Sequence, residues 1–198
     1  MTRDHGGNID RARAHWGGSD WIDLSTGINR VPWPLPDLPP AVWTDLPTAE
    51  AKARLIAAAR AGLGTAAPCV ALAGAQAAIQ MVPRLRPPGR ARVLAPTYNE
   101  HAASLRAAGW SVEEVQAPEA LAGADLAVVV NPNNPDGRCH DPAYLRALAG
   151  QVGLLVVDES FADPRPDLSL LPVPGPESGS VLVLRSFGKF WGLAGVRL

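Results

Sequence analysis

Leu126-Ala127-Val128-Val129-Val130-Asn131-Pro132-Asn133-Asn134-Pro135-Asp136-Gly137 is the stretch from which the fold is read. Five apolar residues with no polar alternation read as a strand covered on both faces, the habit of parallel sheets lying between helices. The two Asn-Pro pairs and the closing glycine then force a rigid turn directly after that strand. Such a turn fixes the Asn134 amide over the strand's carboxyl end. Outward from this point the same texture recurs. Short β-runs fall at 69–73, 91–95, 111–115, 154–157 and 181–184, with helix candidates at 75–85, 99–108 and 142–151. Thr48 caps a further Ala-rich helix over 50–60. Gly64, Gly89, Gly109, Gly123 and Gly153 punctuate the connections. The pattern is that of an α/β fold, a mostly parallel sheet flanked by helices.

The stretch before residue 48 differs. Trp16, Trp21, Trp33 and Trp43 stand among Pro32, Pro34, Pro36, Pro39 and Pro40, a density that forbids long helices and interrupts ladders. Residues 1–47 are read as an extended arm whose rings bury against the main domain or a partner subunit. Residues 48–198 are read as one domain. The chain stops at Gly195-Val196-Arg197-Leu198 without a polar tail, which reads as an interruption, so a fragment of a longer protein is expected.

Composition narrows the classes. Hydrophobic residues make up 47% of the 198 and charged ones 19%, the balance of a compact domain. A formal net charge of -1 supplies no field for nucleic acid or acidic membranes. The apolar runs are too short to span a bilayer, and residues 1–7 lack the apolar core of a secretory signal. Cys69 and Cys139 form no CxxC pattern, so no metal site is expected and both read as reduced thiols of a cytoplasmic protein.

In such sheets ligands collect at the carboxyl ends of the strands. The residues there are Gly74-Ala75-Gln76, Pro96-Thr97-Tyr98, the Asn131–Gly137 turn, Asp158-Glu159 and Ser186 to Lys189. Lys189 is one of two lysines, the other being Lys52, and it lies among glycines and aromatics in Arg185-Ser186-Phe187-Gly188-Lys189-Phe190-Trp191-Gly192. Apolar surroundings disfavour its charged form, which makes an amine nucleophilic. Gly74-Ala75-Gln76 opens a helix with residues small enough for backbone amides to approach a phosphate, and Ser186 and Arg197 add charge-assisted hydrogen bonds to the same anion.

Taken in order, Asn-Pro-Asn-Asn-Pro-x-Gly, an Asp-Glu pair after an apolar strand, and Ser-x-x-Lys-x-x-Gly-Leu-x-Gly-x-Arg resemble the fold-type I pyridoxal-phosphate (PLP) enzymes of the class I/II aminotransferase family. The resemblance implies PLP as cofactor and an incomplete large domain of that fold. It makes Lys189 the lysine linked to the cofactor, Asp158 the partner of the pyridine nitrogen and Asn134 the donor to the ring oxygen. It makes Tyr98 the stacking ring, and gives the phosphate to Ala75, Gln76, Ser186 and Arg197. Within the family, His5-Gly6-Gly7-Asn8, Asp23 to Asn29, Pro96 to His101 and Asp158 to Phe161 resemble the threonine-phosphate decarboxylases of cobalamin biosynthesis. That likeness implies O-phospho-L-threonine as substrate, 1-aminopropan-2-yl phosphate and carbon dioxide as products, a homodimer, and approach of His5 and Asn29 to the substrate. An aminotransferase similar to histidinol-phosphate aminotransferase, and a non-catalytic module of the same fold, remain as alternatives.

Three departures from the family pattern stand out. Phe161 occupies a position where many relatives carry tyrosine, removing one hydrogen bond to the cofactor. Leu46 stands where a tyrosine often reaches the neighbouring subunit's phosphate. The family's small domain, with the arginine that grips the substrate carboxylate, lies beyond Leu198.

Overall fold

A computed structural model describes residues 6–171 and 180–198. Its centre is a five-stranded, wholly parallel sheet of β1 (Arg90–Leu94), β2 (Ser111–Val115), β3 (Leu126–Val130), β4 (Leu155–Asp158) and β5 (Val181–Leu184). The spatial order is β2-β1-β3-β4-β5. The apolar runs form strands because each has neighbours on both sides except at the two edges. In register, Val130 stands beside Asp158, and Asp158 beside Leu184.

Six α-helices are present among the described residues. They are α1 (Ile9–Trp16), α2 (Ala41–Thr44), α3 (Ala49–Gly62), α4 (Ala75–Met81), α5 (Glu100–Ala107) and α6 (Pro142–Ala149). Side-chain caps mark several of their starts. Thr48 Oγ1 accepts from the Ala51 amide at 3.1 Å, and Asp141 accepts from Ala143 at 2.6 Å. The helix expected over 75–85 is α only to Met81. Pro83, which cannot donate to the ladder, turns the rest into a 3-10 segment.

Strand alternation divides the core between two faces. Val93, Val128 and Val156 pack with Ile79 of α4 and Leu105 of α5 on one face. Val129, Leu155 and Val157 pack with Leu145 and Leu148 of α6 on the other. Burying a side chain of this size contributes about 1.5–3 kcal/mol.

Two expectations are corrected. Residues 69–73 form no strand, and Val70 is exposed. No neighbouring strand among the described residues offers them a ladder, and an apolar run without hydrogen-bond partners has nothing to hold it extended. The arm is also not wholly extended. Asn8 accepts from the Arg11 amide at 3.0 Å and starts α1 ahead of the proline-rich stretch.

Candidate active site

The side chains at the strand ends meet in a cleft of about 450 Å³. Gly74, Ala75, Gln76, Tyr98, Asn134, Asp158, Ser186, Lys189 and Arg197 all line it, so eight of the expected site residues share one space with the glycine that precedes them. A larger hollow of about 760 Å³ lies between α1 and residues 21–25. Its lining carries none of the strand-end groups.

Alternation along β4 explains how neighbouring acids come to face opposite ways. Asp158 continues the Val156 side of the strand, the side covered by α5. There His101, in the first turn of α5, places Nε2 2.9 Å from Asp158 Oδ2, with both groups buried. The other carboxylate oxygen, Oδ1, accepts from the Ser160 amide at 3.0 Å and from its hydroxyl at 2.6 Å. Burial pushes the Asp158 pKa up, but the His101 bond and charge and the two Ser160 bonds outweigh it and hold the carboxyl below the usual range. His101 received no role from sequence. The available signal was its place three residues after Tyr98, one helical turn along the same face. Its ring stands edge-on to Tyr98 at 6.3 Å.

Glu159 turns to the opposite face. It is fully buried and accepts from Ser169 Oγ at 2.7 Å, the Leu170 amide at 2.7 Å and Arg185 at 2.9 Å.

The asparagine turn divides its work. Asn131 is buried, donates to the carbonyls of His140 and Leu168, and accepts from the His140 amide. Asn133 accepts from Thr97 Oγ1 at 2.7 Å and donates to the Pro96 carbonyl at 2.9 Å, tying this turn to the one after β1. Asn134 faces the cleft, and among the described residues its amide bonds to no other group. The first two asparagines hold the turn so that the third is presented.

Lys189 Nζ lies 5.5 Å from the centre of the Phe161 ring. Burial lowers the pKa of the amine, and the Asp158 charge opposes that shift without cancelling it. A larger share of neutral amine at neutral pH is what attack on a carbonyl requires. Tyr98 and Gln76 meet at 3.5 Å, and Gln76 Nε2 donates to the buried Glu100 at 3.0 Å.

The far corner is built from α4 and the last residues. Gly74 has φ +78° and no side chain caps the helix it precedes. A Cβ there would stand 3.1 Å from the Arg197 guanidinium, so glycine opens a cradle between the helix start and a cation. Ser186 Oγ accepts from the Gly188 amide at 3.1 Å, leaving the hydroxyl hydrogen to donate.

Two further residues expected near the substrate belong to the arm. His5 lies outside the described residues. Asn29 is not part of the cleft lining, because its side chain is committed elsewhere. It donates to the Phe190 carbonyl at 2.9 Å and accepts from the Val31 amide at 3.0 Å, while its own amide donates to the Lys189 carbonyl at 3.0 Å. Asn29 fastens the arm to the lysine loop.

An anion cradle, an amine shifted toward neutrality, a buried ionised carboxylate and an unbonded amide around one cleft define a class of protein. The chain belongs to the aminotransferase class I and II family, whose model matches residues 48–198. It is 46% identical to a threonine-phosphate decarboxylase of Sinorhizobium sp, over 98% of this chain and 61% of that protein. It is 44% identical to a threonine-phosphate decarboxylase of Pseudomonas aeruginosa, over 98% of this chain and 60% of that protein. The chain thus spans about three fifths of the length of these curated relatives. Among solved structures it resembles histidinol-phosphate aminotransferase from Sinorhizobium meliloti in complex with pyridoxal 5'-phosphate. The TM-score is 0.62 at 25% identity, over 79% of this chain and 48% of that one. The residues of the cleft fit that cofactor, because Gly74 and Arg197 adjoin as a place for an anion and the Asp158 carboxylate shares the same lining.

Proposed function

We propose that this chain carries the cofactor site of a PLP-dependent decarboxylase that turns O-phospho-L-threonine into 1-aminopropan-2-yl phosphate and carbon dioxide in cobalamin biosynthesis. The observation that carries the reading is the convergence of Lys189, Asp158 and Asn134 on one cleft. The two threonine-phosphate decarboxylases that match nearly the whole chain supply the reaction.

When bound, PLP supplies an electron-accepting ring that stabilises negative charge on the carbon losing carbon dioxide. Lys189 would provide the amine that anchors it and, when free, would hold a proton for donation within the cleft. Asp158, kept ionised by His101 and Ser160, holds a proton on the ring nitrogen. Asn134 would donate to the ring oxygen, and Tyr98 would lie against the ring face. Ala75 and Gln76 offer backbone amides to the phosphate, which Ser186 and Arg197 also bind.

Phe161 cannot donate to the ring oxygen, so in this reading Asn134 is the donor on that side. The reading treats residues 1–47 as an arm and 48–198 as part of a cofactor-binding domain. The protein is a homodimer located in the cytoplasm. Support for the second copy comes from arm side chains left in solvent, Trp43 at 77% and Leu46 at 90% exposure. Among the described residues no helix is long and apolar enough to cross a membrane.

The test is incubation of the protein with PLP and O-phospho-L-threonine, with assay of both products. Lys189→Ala is expected to abolish turnover, and decarboxylation persisting in that variant overturns the mechanism. A second reading, transamination, is favoured by the likeness to histidinol-phosphate aminotransferase. Accumulation of a keto acid with a pyridoxamine-form spectrum selects it.

A further inference from the structure

Arg185 ends the path of β5, one residue before Ser186 and four before Lys189. Its guanidinium is partly buried and spans two carboxylates, Nη1 to Glu159 at 2.9 Å and Nη2 to Asp163 at 2.8 Å. Both acids belong to the short loop that follows β4. At the end of β4 and on that loop the cleft-facing residues are Asp158, Ser160 and Phe161, while Glu159 and Asp163 face Arg185. Backbone bonding reinforces the junction, the Glu159 amide donating to the Leu184 carbonyl at 2.9 Å. Every group that the loop presents to the amine is therefore mounted on a segment whose other side is clamped to the strand that delivers the amine.

We propose that Arg185 is a positioning residue, which by bridging Glu159 and Asp163 fixes the spacing of Asp158 and Phe161 from Lys189. A planar guanidinium suits this because its two terminal amino groups hold two acids at set angles, which a lysine ammonium does not. Removal of the guanidinium leaves the fully buried Glu159 charge without its ionic partner, so the junction resists opening. The proposal rests on Lys189 being the cofactor-bearing amine, but it concerns a geometry present in the chain itself.

The test reads Lys189 without cofactor. Isotope-coded acetylation of the protein across a pH series, followed by mass spectrometry, gives the reactivity midpoint of Lys189, with exposed Lys52 as the reference amine in the same molecule. The charged groups lining the cleft with Lys189 are Asp158, Glu100 and Arg197, with His101 behind Asp158. Burial is the larger influence on this amine, so loosening the loop admits water and moves its midpoint up.

Arg185→Lys and Glu159→Gln are both expected to raise the midpoint by about half to one pH unit. Glu159→Gln is the discriminating variant, because deleting a negative charge with the geometry intact lowers an amine's midpoint. An unmoved or lowered midpoint in a Glu159→Gln protein with wild-type circular dichroism overturns the proposal. Should that variant fail to fold, Asp163→Asn decides by the same opposition of signs, with a smaller upward shift expected. The underlying reading is tested apart from this by borohydride reduction of the PLP-loaded wild type. Absence of a pyridoxyl group on Lys189 defeats that reading, whereas its presence together with an unmoved variant midpoint defeats only the role of Arg185.

Discussion

The sheet and the arm are made of similarly apolar residues and have opposite fates. In the arm from residue 6, and on through α3 to residue 73, no side chain is buried. From Gly74 onward two core clusters close on either face of the strands. Hydrophobic side chains stabilise only where another surface removes them from water, and the sheet finds that surface in its own crossover helices. The arm instead attaches at a few points of the lysine loop, by backbone bonds from Asn29 to Lys189 and Trp33 to Trp191 and by the Asn29 side chain to Phe190. Apolar composition alone therefore does not say which part of this chain is its stable part.

The comparison is broken most readily at its strong end. Leu155 is fully buried in the cluster on the α6 face. Leu155→Ala is expected to cost about 2–5 kcal/mol in denaturant unfolding, and a loss well below that would mean the sheet is not the autonomous core.

Asp158→Asn is expected to act next, by about 1–3 kcal/mol at neutral pH, because it leaves the buried His101 without its charged partner. Its pH dependence gives the sharper test. The folded-state pKa of Asp158 is depressed, so its contribution is fully present above the ordinary carboxylate value of 3.8 and is lost as pH falls through the lower folded value. Melting curves of the variant are accordingly expected to be flatter than those of the wild type below that pH. Equal acid slopes would show that the His101 contact does not hold Asp158 ionised.

Trp43→Ala is the smallest expected effect, within about 0.5 kcal/mol in the chain at concentrations where it is monomeric. A larger loss there would reveal cover over the arm.

Sequence carried the sheet and the cleft because their signals are local. Continuous apolar runs flanked by glycine mark β3 and β4. Proline and asparagine at fixed places determine the turn that presents Asn134, and the Lys189 segment is conspicuous in a chain with two lysines. What escaped depends on partners distant in the chain. His101 matters through a carboxylate that only the fold brings to 2.9 Å, and Glu159 looked like a cleft residue until strand alternation turned it to Arg185. The run at 69–73 has strand-forming residues and no neighbour, so composition overstated it. Tryptophan density in the arm suggested burial. Trp33 does meet Trp191 edge-on at 5.0 Å, yet Trp16 and Trp43 remain in solvent.

The Asn29 staple sets an order of events. Its amide clasps a carbonyl 161 residues further along the chain. Contacts of such long separation carry a large loop-closure entropy and form late. On the ribosome the sheet can begin to condense as successive strands emerge, but the lysine loop gains its arm-side support only after residue 190 is released. Competence to hold a cofactor should therefore lag behind acquisition of secondary structure during refolding, and the interval between the two measures how long the staple takes to close.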